Sequence, residues 1–311
     1  MLATFLTILP IFSLIFAGWF VRRLGVLGAN ASAELNRFVV YLALPALLFD
    51  ITAHVHWIDI WQPGFIAAFG LATSMVFATT LAGRWRGSRS LADAALDGLN
   101  AAYANTGFIG FPLLLAVLGP AALPPTLTAT ILTVCVLFAA AIVLIETGLQ
   151  TQAHPLFLAG KVTRSLLSNP LLVAPALGAL LPALSWDVPA SIEQFLKLLG
   201  GAASPCALVA LGLFLAEPRP MRRGTIGSAA QLVVLKLLLH PLLAFGCARY
   251  LFALPAPLTR AAVLLAALPT GTGPFMLAEF YRREAEVTAA VILASTLLSL
   301  LTISIYLAEV R

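Results

Sequence analysis

Long apolar runs alternate with short polar gaps along the whole chain. Ten runs reach the length of about 20 mostly apolar residues that a bilayer-crossing helix needs. They cover 2–21, 35–54, 62–83, 94–118, 126–148, 165–184, 194–216, 225–252, 258–280 and 286–308. None alternates every second residue as a membrane strand does, so an all-α polytopic membrane protein is predicted. The longest gap, 150–164, holds Thr151, Gln152 and His154. It divides the chain into two five-helix halves, 1–149 and 165–311, and no gap is long enough to hold a soluble domain.

Composition narrows the class. Of the 311 residues, 61% are hydrophobic and 10% charged, with a mean hydropathy of +1.00. A soluble domain is about 45–50% apolar and about 25% charged, and it must keep a polar surface. A soluble enzyme, a nucleic-acid-binding protein and a disordered chain are therefore excluded.

The net charge of +5 reports orientation instead. Arg22 and Arg23 lie in the first gap, with Arg37 at the next helix start. Arg84, Arg86 and Arg89 lie in the third, Lys161 and Arg164 in the fifth. The seventh holds Arg219, Arg222 and Arg223, and the ninth Arg282 and Arg283. Thirteen of the 18 Lys and Arg thus fall in odd-numbered gaps. The second, fourth and sixth gaps have none, and only Arg249 and Arg260 flank the eighth. Cytoplasmic loops carry the basic excess, which predicts both termini outside. Asp59 and Asp187 lie in outside gaps. The run 2–21 lacks a basic leading segment and an Ala-x-Ala site, so it reads as a span and not a signal peptide. Trp19, Trp57, Trp61, Trp85 and Trp186 fall near span ends, as interfacial belts do. Cys135, Cys206 and Cys247 sit in apolar runs without metal-ligand spacing and read as small buried hydrophobes. No metal or cofactor is predicted.

The halves match at an offset of 160 residues. Pro10 and Gly18 correspond to Pro170 and Gly178, and Pro45 corresponds to Pro205. Each half has an odd number of spans, so the second must enter the membrane from the opposite side. Inverted repeats of this kind point to secondary transport.

Two spans are interrupted. The fourth reads Asn105-Thr106-Gly107-Phe108-Ile109-Gly110-Phe111-Pro112, and the ninth reads Leu268-Pro269-Thr270-Gly271-Thr272-Gly273-Pro274-Phe275. The same offset relates them, 105–112 to 265–272. Glycine is permissive and proline lacks an amide donor, so neither stretch suits a continuous helix. Unwound backbone at bilayer depth survives only when buried in protein or lining a wet cavity. Half-helix N-termini there favour an anion, and Asn105, Thr106, Thr270 and Thr272 add hydrogen-bonding side chains. The bland alternative is a pair of ordinary proline kinks.

Lys236 falls near the middle of the eighth span, where an ammonium is costly and needs a partner or a role. It either offsets half-helix C-termini or attracts a substrate carboxylate. His240 lies one turn on, as a candidate for proton coupling or a polar filler. Asp50, near the outer end of the second span, is a candidate for coupling or gating where it lines the scaffold interface, or else it simply reaches water. Glu146 and Glu279 lie near cytoplasmic helix ends, where solvation suffices. Tyr41, Asn100 and Tyr103 are weaker pocket candidates.

With ten spans, a 5+5 inverted repeat and the motifs quoted at 105–112 and 268–272, the chain resembles the auxin efflux carrier family over essentially its whole length. That family includes plant PIN carriers and bacterial malate or malonate permeases. The chain lacks the long loop that the plant carriers have after span five, so it looks like a compact member in a bacterial inner membrane. The resemblance implies a sodium/proton antiporter-like fold. A scaffold of spans 1, 2, 6 and 7 would hold a mobile transport domain of spans 3–5 and 8–10. Spans four and nine would cross, with Pro112, Pro269 and Pro274 as crossover prolines. It also implies Asn105 as a contact to a substrate carboxylate, Lys236 as a residue that balances the half-helix dipoles, and a homodimer through the scaffold helices. The residues expected at the substrate site are Asn105, Thr106, Gly107, Gly110, Thr270, Gly271, Thr272 and Lys236.

The expected function is secondary transport of a small organic anion by elevator-type alternating access. The alternative is a sodium- or proton-coupled symporter of a neutral or sterol-like solute. An intramembrane enzyme would need a nucleophile–base pair or a metal cluster at depth, and no HExxH or GxSxG motif is present. A receptor or scaffold has no need of two interrupted helices in register.

Overall fold

The computed structural model describes residues 2–54, 61–87, 89–149, 164, 167–216 and 223–309. Trp57, Asp59, Lys161, Arg219, Arg222 and almost all of the 150–164 connector lie outside the described residues. Among the described residues the chain is helical, with one isolated antiparallel bridge and no strand.

The helices are α1 (Leu2–Arg23), α2 (Ala31–Ala53), α3 (Pro63–Arg86), α4 (Leu91–Ala102), α5 (Phe111–Leu118) and α6 (Pro120–Leu149). They continue as α7 (Pro170–Ala183), α8 (Ala190–Leu215), α9 (Gly224–Leu251), α10 (Ala256–Ala267), α11 (Gly273–Phe280) and α12 (Ala285–Glu309). Six of them, α2, α3, α6, α8, α9 and α12, contain stretches long and apolar enough to cross a membrane. At 1.5 Å per residue, α4, α5, α10 and α11 are each too short to span about 30 Å of hydrocarbon alone.

Local chemistry sets several ends. The Ser90 side chain accepts from the Asp93 amide at the start of α4, and Asn169 accepts from the Leu171 amide at the start of α7. Both are N-cap bonds. Gly119, at φ +73°, separates α5 from α6 in a conformation that other residues resist. Four π turns widen the long helices: Val39–Ala43 in α2, Ile131–Leu137 in α6, and Leu235–Leu239 and Cys247–Leu251 in α9.

The helices fall into two packing groups. In the first, α1 lies against α8, α7 against α2, and α2 against α8. Glycines set the close approaches. A Cβ on Gly18 would stand 2.2 Å from the Val209 carbonyl oxygen, and one on Gly178 would stand 2.6 Å from that of Phe49. These two contacts exchange when 160 is added to Gly18 and subtracted from Val209. In the second group α3 packs on α4, α4 on α6, and α9 on α10 and α12. Between the groups, the buried Asn36 of α2 donates through Nδ2 to the Met276 carbonyl of α11 at 3.2 Å.

Candidate functional site

A break in the helix separates α4 from α5, and another separates α10 from α11. The backbone leaves the helical conformation between α4 and the π turn at Thr106–Gly110, and again from Leu268 to Gly271. These two stretches lie antiparallel across each other, with Ala104 bridged to Thr270. The Asn105 amide donates to the Pro269 carbonyl at 2.9 Å, and the Gly271 amide donates to the Tyr103 carbonyl at 3.2 Å. Backbone groups that cannot bond within a helix here satisfy each other.

The crossing corrects the expected register. Adding 160 to Asn105 leads to Leu265, which is still inside α10. Adding 166 to Tyr103, Ala104 and Asn105 gives Pro269, Thr270 and Gly271, and that mapping exchanges the two cross-strand bonds. The landmark offset of the first packing group therefore does not hold at the breaks. Pro269 belongs to the crossing itself. Pro112 and Pro274 stand beyond it, in the first turns of α5 and α11. Proline is preorganised for a first helical turn and lacks an amide that would be unpaired there anyway.

Two helices end at the crossing and two begin there. At the C-terminal ends, the Thr270 hydroxyl donates to the Asn100 carbonyl of α4 at 2.8 Å, and Lys236 Nζ donates to the Ala266 carbonyl of α10 at 2.7 Å. Lys236 is fully buried in a π turn of α9, and its Nζ lies 3.0 Å from Nδ1 of His240. Nε2 of His240, also fully buried, lies 3.1 Å from the Thr73 hydroxyl of α3. The ammonium thus sits against the negative end of a half-helix, and the imidazole holds it there. At the N-terminal ends, no side chain caps α11 at Thr272 or the π turn at Asn105.

A cavity of about 310 Å³ lies between the two helix groups. One wall comes from α2 and α8, with Leu44, Leu47, Ile51, Gly200, Gly201 and Ser204. The other comes from the crossing, α6 and α11, with Tyr103, Asn105, Thr106, Gly107, Thr130, Thr272 and Met276. None of the lining residues is charged. Thr106 is fully buried and its hydroxyl has no hydrogen-bond partner among the described residues. Gly107 is exposed, and a Cβ there would meet nothing within 4 Å.

The structure thus brings Asn105, Thr106, Gly107 and Thr272 of the expected site to one cavity wall. Gly110, Thr270, Gly271, Lys236, His240 and Asp50 do not line it. Thr270 and Gly271 build the crossing behind it, and Gly110 packs on Leu268. Asp50 lies at the end of α2, with its Oδ1 3.1 Å from Nδ1 of His54. Gly271 and Gly273 are needed for close approach, since a Cβ on either would stand within 2.8 Å of the Tyr103 ring. Of the weaker candidates, Tyr103 lines the cavity, Asn100 donates to Thr288 at 2.9 Å, and Tyr41 packs edge-on against Phe280. Glu146 accepts a 2.7 Å bond from the Tyr281 hydroxyl. The sequence reading missed Ser204, Thr130, Met276 and the Gly200-Gly201 pair. The last carries a local signal, a Gly-Gly break between two stretches of α8.

A family model described as "Membrane transport protein" matches residues 3–307. The chain belongs to that family. It is the family of auxin efflux carriers and malonate transporters. A protein of Rhizobium meliloti named "Putative malonate transporter" is 32% identical over 298 residues, covering 96% of this chain and 92% of that protein. An "Uncharacterized transporter" of Methanothermobacter thermautotrophicus is 27% identical over 306 residues, 96% of each chain. "Auxin efflux carrier component 8" of Arabidopsis thaliana is 30% identical over 150 residues, 47% of this chain and 41% of the carrier. The chain is accordingly a multi-pass membrane transporter with a small-molecule substrate.

Proposed function

We propose that the chain is a secondary transporter of small organic anions, working by elevator-type alternating access. One observation carries this reading. An uncharged cavity between two helix groups is bounded by the crossing, where the Asn105 side chain, the unpartnered Thr106 hydroxyl and the uncapped start of α11 come together. A half-helix N-terminus carries roughly half a positive charge, and its amides suit a carboxylate. A site of amides and hydroxyls binds an anion without a fixed cation that would hold it too tightly to release.

In this reading the chain has ten spans, with α4–α5 and α10–α11 counted as one each. The exchanging glycine contacts and the exchanging bonds of the crossing support an inverted 5+5 repeat. α1, α2, α7 and α8 form the scaffold and a homodimer face, and α3–α6 with α9–α12 form the moving body. Basic loops put both termini outside, in a bacterial inner membrane. Lys236 acts through α10, as a positioning residue that keeps the crossing electrostatically balanced.

The name of the Rhizobium relative makes malonate the first solute to test. Purified protein in proteoliposomes should take up labelled malonate, and Asn105→Ala should reduce uptake while leaving the protein folded. Undiminished flux in that variant would defeat the site. A second reading is a sodium- or proton-coupled symporter of a neutral or sterol-like solute, favoured by the apolar wall of Leu44, Leu47 and Ile51. Uptake measured with and without each ion gradient separates the two.

A further inference from the structure

A second cavity, of about 540 Å³, lies between α3 and α9, away from the crossing. Its walls are one face of each helix. Thr79, Thr80, Gly83 and Arg84 recur along α3 at helical spacing, and Ser228, Gln231, Leu235 and Leu239 recur along α9. The cavity also reaches Arg89, in the loop after α3. From Ser228 to Leu239 the groove follows α9 for about 16 Å at 1.5 Å per residue. Its basic end is at the arginine-rich loop, where the chain leaves the bilayer. Its apolar end runs toward the membrane interior along Leu235 and Leu239.

The polar end is not self-satisfied. The Thr80 hydroxyl is buried and has no hydrogen-bond partner among the described residues, and neither has Nε of Arg89. Thr80 is only 5% exposed. Arg84 donates through one terminal nitrogen to the Ser228 carbonyl at 3.3 Å. The acids nearby are engaged from outside the cavity lining. Asp97 lies 3.4 Å from Nε of Arg84 and 3.3 Å from a terminal nitrogen of Arg89, and Glu284 lies 2.8 Å from the latter. These carboxylates temper the arginines, but neither Asp97 nor Glu284 faces the space itself.

We propose that this groove is a binding site for a phosphate-bearing anion, and that the anion is the headgroup of an anionic phospholipid. A phosphate would accept from Arg84, Arg89 and Thr80, with Gln231 beside it. The length and apolar far end favour a lipid over free phosphate, because an acyl chain would cover Leu235 and Leu239. Basic pockets between membrane helices at the cytoplasmic face commonly hold such headgroups. The site is independent of the solute cavity, since none of its residues lines both. A lipid there would join α3 to α9 inside the proposed moving body.

The test is thermal stability of the detergent-purified full chain, titrated with phosphatidylglycerol, with phosphatidylcholine and with inorganic phosphate. Two variants accompany the wild type. Gly83→Met fills the groove, because a Cβ at Gly83 meets nothing within 4 Å. Gln231→Glu, at an exposed position, adds a negative charge without changing volume. The proposal expects a concentration-dependent rise in melting temperature with phosphatidylglycerol alone. It expects that response to weaken by about fivefold in Gln231→Glu, the worth of one interfacial charge, and to vanish in Gly83→Met. An equal response to phosphatidylcholine overturns it, and so does an equal response to inorganic phosphate. Unaltered phosphatidylglycerol binding in either folded variant also overturns it.

Discussion

Nζ of Lys236 donates a 2.7 Å hydrogen bond to the carbonyl oxygen of Ala266, one residue before the end of α10. The Lys236 amine therefore reaches from α9 to a helix end and not into the cavity. Removing the ammonium by Lys236→Met strands two buried acceptors, the Ala266 carbonyl and Nδ1 of His240. Each such loss costs about 1–3 kcal/mol. The variant should melt at a lower temperature and transport poorly, while the fraction that stays folded still binds malonate. Calorimetry and a binding titration on the same sample check this. Full stability combined with lost binding would mean that the ammonium touches the solute.

Thr106→Val is the cleanest probe of the cavity. The substitution keeps shape, and the hydroxyl it removes has no partner among the described residues. Stability should hold or rise, since an unpaired buried hydroxyl is itself a cost. Affinity for a carboxylate should fall by roughly the worth of one hydrogen bond, about 0.5–1.5 kcal/mol. Asn105→Ala should lose at least as much. A Thr106→Val protein that is destabilised, with affinity unchanged, would assign the hydroxyl to packing alone.

The Gly-Thr-Gly run of the ninth span answers to one aromatic ring. A Cβ on Gly273 would stand 2.6 Å from Cζ of Tyr103, and one on Gly271 would stand 2.8 Å from Cε1. Overpacking of this kind costs about 1–3 kcal/mol. Gly273→Ala should therefore destabilise the protein, and Tyr103→Leu should recover part of the loss in the double variant. A double-mutant cycle in thermal denaturation reads the coupling. Strict additivity would remove the ring as the reason for the glycine. By contrast Gly83→Ala and Gly107→Ala meet open space and should be tolerated structurally.

The interrupted spans were legible because their cause is local. Glycine and proline act on their own backbone, so 105–112 and 268–275 announce the breaks wherever the chain folds. Gly18 and Gly178 stood out for a related reason, as landmarks repeated at a fixed interval, although their close contacts with Val209 and Phe49 did not. The register of the crossing was not. Segments between the landmarks differ in length, and six residues accumulate before Ala104 meets Thr270. The partner of Lys236 was also hidden, because a backbone carbonyl is the same for every residue and only packing selects Ala266. Leu44 and Ser204 face the cavity from helices distant in sequence, and nothing in their own neighbourhoods distinguishes them from lipid-facing residues. Pattern therefore found Asn105, Thr106, Gly107 and Thr272 and missed Thr130 and Met276 beside them and the wall opposite.

Asn36 bridges the two helix groups, donating to the Met276 carbonyl at 3.2 Å, and its own Oδ1 is buried without a hydrogen-bond partner among the described residues. If the groups slide during transport, this bond exists in one state and breaks in another. Asn36→Ala removes about 0.5–1.5 kcal/mol from the state described here, enough to shift a two-state population by roughly 2- to 10-fold. The shift can be read with a cysteine at Ser204, which lines the cavity, in a background lacking Cys135, Cys206 and Cys247. A membrane-impermeant thiol reagent applied from each side gives two labelling rates. Asn36→Ala should slow labelling from the side that reacts faster in the parent and speed it from the other, with little change in melting temperature. A change of the same sign on both sides would indicate loosening of the packing and argue against two alternating states.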